Sequence, residues 1–201
     1  MAHSEPSRYK GDVSAELWLI RHGETDWSAS GRHTGRTDVP LNEAGEQQAR
    51  GLGKRLAGRP FAAVFASPLS RARDTCRLAG YGDAAQIEPD LREWDYGECE
   101  GLTTAELRKR DPGWSVWSRR LPGGETADEV GRRADRVIAR AVAAGGDVAL
   151  FAHAHVLRVL TARWLELPAD GGRLFALRTA SISVLSYERE ARVIDRWNLS
   201  P

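Results

Sequence analysis

Cysteine is scarce in this 201-residue chain: only Cys76 and Cys99 occur, at no metal-like spacing. That argues against a disulfide scaffold and suits a reducing cytosol. No apolar run approaches a membrane span, and the N-terminal residues lack the apolar segment of a signal peptide, so a cytoplasmic protein is expected. Neither sign of charge is in excess, since 29 basic and 28 acidic residues leave a formal net charge of +1. No field-driven attraction to nucleic acid or to an anionic membrane is indicated, and any anion site must be local. Lysine is nearly missing, 3 residues against 26 arginines. Arginine suits bidentate phosphate binding, but so general a bias reads as genomic base composition and carries little weight.

What is present reads as an α/β chain. The length fits one domain with an ample core, taken as residues 15–201 behind a polar extension, 1–14, expected to be flexible. The short apolar runs 17–20, 62–66 and 147–152 read as strands, and residues 42–58 as a helix with Leu41, Gly45, Ala49, Leu52 and Leu56 at three-to-four spacing. Thr103-x-x-Glu106 and Thr126-x-x-Glu129 are capping boxes that open two more helices. Ser67-Pro68 predicts a further helix start, with Ser67 at the N-cap and Pro68 at the first helical position. Residues 156–166 read as helix, and 174–177, 181–187 and 193–197 as the remaining strands.

Chemistry gathers at the strand ends. Arg21-His22 follows the first strand and Gly23 breaks it; open α/β sheets bind ligands just beyond the carboxyl ends of their strands. The loop 28–38 is rich in turn formers but lacks the Gly-Lys-Ser/Thr ending of a Walker A loop. Gly51-x-Gly53 lies inside a helix, where a dinucleotide fingerprint does not belong. Arg71 falls early in the helix after the second strand, a terminus that favours phosphate, whereas Arg73 faces elsewhere and reads as structural. The segment 91–101 crowds charges around aromatics, and Glu98 and Glu100 read as structural. Residues 112–124 form a Trp- and Arg-containing loop expected to cover the site and set specificity. His153-Ala154-His155 raises a metal hypothesis, with His22, His33 and Glu93 as further ligands. His33 is balanced between lining a pocket and being a solvated loop residue.

Four of these segments, in order, resemble the motifs of the histidine phosphatase superfamily, also called phosphoglycerate mutase-like: Arg21-His22-Gly23-Glu24-Thr25, Ser67 to Thr75, Leu91-x-Glu93-x-x-x-Gly97-x-x-Glu100-Gly101, and Phe151-Ala152-His153-Ala154-His155. Trp27, Thr34-Gly35, Asp38, Leu41 and Gly45 also fall where members have comparable residues, and the resemblance spans roughly residues 16–197. It is strongest to the small bacterial acid phosphatases of that superfamily. The resemblance implies a three-layer α/β/α sandwich with a mostly parallel central sheet. It implies that His22 attacks phosphorus and becomes a phosphohistidine, that Arg21, Arg71 and His153 hold the phosphoryl oxygens, and that Glu93 is the proton donor. Ser28, Thr34, Gly35 and His155 are expected to bind substrate; many mutases have Asn at the position of Ser28, and many members have Gly at that of His155. Thr179-Ala180-Ser181 is expected at the pocket rim. The partner is a small phosphate ester, with no cofactor and no metal ligand of the family in view, and a homodimer is open. A phosphatase is expected over a phosphoglycerate mutase because the segment 102–124 is short, and its Arg108, Lys109, Arg110, Arg119 and Arg120 can equally form a solvated face. The mutase and a His-x-His metallohydrolase are the alternatives.

Overall fold

Six strands make one sheet, and its order explains where the chemistry lies. The structure, a computed structural model, describes residues 15–118 and 121–200; the N-terminal extension expected over 1–14 lies outside them, as do Arg119 and Arg120. In chain order the elements are β1 (Leu17–Arg21), α1 (Asp26–Ala29), α2 (Glu43–Leu56), β2 (Ala63–Ala66), α3 (Ser70–Leu78), β3 (Ala85–Ile87), α4 (Thr104–Arg110), α5 (Ala127–Ala143), β4 (Val148–Ala152), α6 (Ala154–Trp164), β5 (Ile182–Glu188) and β6 (Ala191–Leu199). The sheet runs β3-β2-β4-β1-β5-β6. Its first four strands are parallel, and β5 and β6 are antiparallel to their neighbours.

Period-two alternation sorts each strand between two cores. Leu17 and Leu19 of β1, with Val148, Leu150 and Ala152 of β4, face the side packed by α5 and α6. Trp18 and Ile20, with Ala149 and Phe151, face the side packed by α2 and α3. β4 is buried along its whole length, as a strand covered on both faces must be. The result is the three-layer α/β/α sandwich with a mostly parallel sheet that the sequence implies.

Register then sets the site. Arg21 pairs with Ala152, and Ala66 with Phe151. The ladder continues one residue further, with His22 N donating to Ala152 O at 3.0 Å and Ser67 N to Phe151 O at 2.9 Å. The residues just past three adjacent parallel strands, His22, Ser67 and His153, therefore meet at one edge. On the far side Ala180 N donates to the His22 carbonyl at 2.9 Å, and Arg21 N to Ser181 O at 3.1 Å. Thr179-Ala180-Ser181 is not on the pocket lining; its backbone braces the turn that leaves β1.

Both capping boxes form as expected, at Thr103 and Thr126. Two expectations do not hold. Ser67 is not an N-cap: α3 starts at Ser70 with Leu69 in the cap position and no cap bond from its own segment. Asp38 takes that duty from another loop, its Oδ1 accepting from both Ser70 N and Ser70 Oγ at 2.8 Å. The expected strand over 174–177 is absent: Leu174 ends a 3-10 helix that begins at Ala169. Its carbonyls serve side chains instead, with Ala176 O accepting from Trp197 Nε1 and Leu177 O from Arg21 Nη1.

Candidate active site

His22 sits on the turn that leaves β1. Its Nδ1 lies 2.6 Å from Gly23 O, and because a carbonyl only accepts, the ring proton is on Nδ1 and Nε2 keeps its lone pair. Burial, then the charges of Arg21 and Arg71, hold its pKa well below the ordinary histidine value, so the ring is neutral. His153 packs edge-on against it, ring centroids 5.1 Å apart. Its Nδ1 accepts from Arg71 Nε at 3.1 Å, which puts the His153 proton on Nε2, 2.7 Å from Ser67 Oγ. Burial and the Arg71 charge keep His153 neutral as well.

Arg71 is fully buried. Beyond His153, its guanidinium donates to the carbonyls of Thr34, Gly35 and Thr37 at 3.0–3.1 Å. Glu100 grips the same segment by its amides, accepting from Gly35, Arg36 and Thr37 N at 3.0, 3.3 and 2.6 Å. Arg21 donates through Nη1 to Leu177 O at 2.6 Å, while its buried Nε has no hydrogen-bond partner. An unsatisfied buried donor costs about 1–3 kcal/mol, and a phosphoryl oxygen is the kind of acceptor that would satisfy it.

A cavity of about 220 Å³ opens over His22, lined by Arg21, His22, Ser28, Gly31, Arg32, His33, Thr34, Glu93, Tyr96, Ala154, His155, Arg158 and Leu177. Glu93 stands at the N-terminus of α6. Its Oε1 accepts from Trp94 N and Val156 N at 2.9 Å, and Oε2 from His155 N at 3.0 Å; a carboxylate there also meets the positive end of the helix dipole. Tyr96 Oη and His155 Nδ1 are 2.6 Å apart. Burial holds His155 well below its ordinary pKa and raises Tyr96 well above its own, so both members of the pair are neutral. His33 is likewise pushed down to about 4 by burial.

A family model, the histidine phosphatase superfamily (branch 1), matches residues 17–200. The chain belongs to that superfamily. Relatives differ in what they are named for. An acid phosphatase of Mycobacterium tuberculosis is 41% identical over 180 residues, covering 88% of each chain. A probable phosphoglycerate mutase, GpmB, of Enterobacter sp. strain 638 is 32% identical over 192 residues, covering 90% of this chain and 89% of its own. Among solved structures, that of the M. tuberculosis open reading frame Rv3214 superposes with a TM-score of 0.88 at 39% identity, over 92% of this chain and 98% of its own.

In this histidine phosphatase, the residues expected at the site fall into two groups. Arg21, His22, Ser28, Thr34, Glu93 and His155 line the cavity. Arg71, His153 and Gly35 do not; His153 packs against His22, Arg71 donates to His153, and Gly35 is held between Arg71 and Glu100. Ser28 spends its side chain on the α1 capping box with Thr25. His33 lines the cavity, its ring 4.9 Å from Tyr96 and 5.1 Å from Trp114. The loop 112–124 does not cover the cavity with its described residues. Trp114 and Trp117 stand behind the lining, Trp117 at 5.2 Å from His155. The His-x-His pair does not converge on a metal: Arg71 holds one Nδ1 and Tyr96 the other, and among the described residues no three ligating groups gather. Cys76 and Cys99 are both buried and unpaired with each other. Among the described residues no helix is long and apolar enough to cross a membrane.

Sequence reading missed Tyr96, Arg32 and Arg158 as lining residues. Arg158 carries a signal in hindsight: it lies three residues beyond His155 on a helix, and so shares its face.

Proposed function

We propose that this histidine phosphatase hydrolyses small phosphomonoesters in two in-line displacements through a phosphohistidine at His22. The observation that carries the reading is the tautomer of His22, whose Nδ1 proton is committed to Gly23 O and whose Nε2 keeps its lone pair, in a cavity that Arg21 also lines. A neutral imidazole fixed in that way attacks phosphorus without first losing a proton. Phosphoryl transfer needs positioning and charge stabilisation above all. Arg21 would bind an equatorial oxygen through its unpartnered Nε, Arg71 would supply buried positive charge, and the Nε2–H of His153 would turn from Ser67 to the phosphoryl group. Glu93, at the cavity wall, would give a proton to the leaving alkoxide and then take one from the attacking water.

Hydrolysis is favoured over mutase chemistry because the described residues of the segment after the third motif put no cation in the cavity: Arg108 donates to Trp114 O, and no described residue of 102–124 lines the wall. With little there to retain a released product, water takes the phosphoryl group. Rapid quenching of the wild type should trap an acid-labile, alkali-stable phosphoenzyme. His22→Ala should lose nearly all turnover, by at least ~10³-fold for a lost nucleophile. Activity should survive EDTA. Full activity in His22→Ala would sink the mechanism, and isomerisation of 3-phosphoglycerate outpacing phosphate release would make the protein a mutase.

A further inference from the structure

Glu93, the proton donor of the proposed reaction, is carried by neither helix nor strand. It lies between two short 3-10 turns, Pro89–Leu91 and Gly97–Cys99. A group that transfers a proton must nonetheless be held within about 0.5 Å of its productive position. The carboxylate is anchored on α6, by the amides of His155 and Val156. The backbone behind it is anchored elsewhere, on α5.

Arg133 projects from α5, its side chain 14% exposed. Nη1 donates to Asp90 O at 2.6 Å and to Arg92 O at 3.0 Å, and Nη2 reaches Glu93 O at 3.5 Å. The other edge of the guanidinium, Nε and Nη2, meets the two carboxylate oxygens of Glu125, each at 2.8 Å. Its five N–H donors are thereby all committed. Glu125 passes the grip on: Oε2 accepts from Asp95 N at 3.0 Å, N donates to Asp95 O at 2.9 Å, and O accepts from Trp94 Nε1 at 2.8 Å. Every residue from Arg92 to Asp95 is held by this pair, through backbone or side chain.

Arg133 is not among the residues that line the cavity, and its hydrogen bonds reach none of Arg21, His22, Arg71 and His153. Its charge bears on His153, though less than those of Arg71 and Arg21. A lysine there would keep that charge and lose the planar fork that fits carboxylate and carbonyls together. Arg136, three residues on, supplies a comparison: it bonds to the Asp90 carboxylate at 2.9 and 2.6 Å, at the edge of the same segment.

We infer that Arg133 is a positioning residue for proton transfer, acting through Glu93 by fixing the backbone from which that carboxyl reaches the cavity. The inference rests on the reading of Glu93 as proton donor. The acid is suspended between two helices, with α5 holding its backbone and α6 its carboxylate.

The test compares kcat/KM on two kinds of ester. One is the faster of glycerol 3-phosphate and 3-phosphoglycerate, whose alkoxide needs a proton to leave; the other is p-nitrophenyl phosphate, whose phenolate does not. Arg133→Lys should lower the first about tenfold or more, on the way to the ~10²-fold that a 1 Å misplacement can cost. The second should fall no more than about threefold. Arg136→Gln should leave both within about twofold. In a Glu93→Gln background, Arg133→Lys should add no more than about twofold to the alkyl-ester loss, because the two residues act as one unit. No loss, equal losses on both esters, the same selective loss in Arg136→Gln, or losses that multiply in the double variant would overturn the assignment. If Arg133→Lys does not fold, Glu125→Gln loosens the same fork and is judged by the same ratios. Glu93→Gln alone checks the underlying reading. Without a selective loss there, or with neither alkyl ester hydrolysed by the wild type, that reading fails and the assignment falls with it.

Discussion

Glu93 has two duties that pull apart under mutation. Its carboxylate caps α6 and also lines the cavity, where the proposed reaction makes it the proton donor. Oε1 accepts two backbone N–H groups and Oε2 one, so Oε2 has the lone pair to spare for a proton. Glu93→Gln keeps the shape but turns an amide NH₂ toward backbone donors. Stability should fall by about 1–3 kcal/mol, the cost of one unpaired buried group. Turnover of alkyl phosphates should fall by at least ~10²-fold, and that of p-nitrophenyl phosphate far less, because its phenolate leaves without a proton. Equal losses on both substrates would leave Glu93 a capping role alone. At this scale the sequence exposed what lies on one short segment. Arg21-His22 announces itself at a strand end, and His153-x-His155 at another. The tautomer of His22, by contrast, is decided by a carbonyl at 2.6 Å, and the partnership of Tyr96 with His155 joins residues 59 apart in the chain. No local pattern encodes either.

Elements begin where their caps are, and here the caps come from two sources. Thr103 and Thr126 cap from within, so their helices were legible as four-residue patterns. α3 and α6 are capped from a distance, by Asp38 and Glu93, and the start of α3 was misread for that reason. The turn after β1 depends on another long-range fit. A Cβ on Gly23 would collide with the carbonyl of Gly45, and one on Gly45 with the backbone of Glu24. The turn after β1 and the first turn of α2 thus cross with no room for a side chain, and Gly23 N is tied to Thr75 Oγ1 at 3.0 Å. Gly45→Ala, though a better helix former by propensity, should destabilise by about 1–3 kcal/mol or more through overpacking. Urea denaturation measures it; an unchanged or higher midpoint would show that α2 can shift away cheaply.

The whole molecule keeps its described histidines neutral. His22, His33, His153 and His155 are all depressed by burial, His33 to about 4. Unfolded, each titrates near ~6.5. Between that value and its folded pKa, the unfolded chain binds protons that the folded chain refuses, so stability is full above about 6.5 and declines as pH falls. Each histidine contributes a slope of up to ~1.4 kcal/mol per pH unit. Urea midpoints should therefore drop clearly between pH 7 and pH 5, before most carboxylates titrate. A flat profile over that range would contradict the neutral assignments. The same depression keeps His22 nucleophilic in mild acid, so the catalytic acid limb should lie below ~6.5 and activity there should be limited by unfolding. The fold class was legible at this scale because apolar runs alternate with amphipathic stretches. The layer each helix joins was not, since it follows from sheet order.

One consequence concerns time. The stretch from Thr34 to Thr37 has neither helix nor strand, yet Arg71 holds its carbonyls and Glu100 its amides. Opening that loop would break hydrogen bonds on both kinds of backbone group at once. A substrate then meets a wall already in its working shape. In the proposed reaction, capture and phosphate release are then expected to need no movement of this loop.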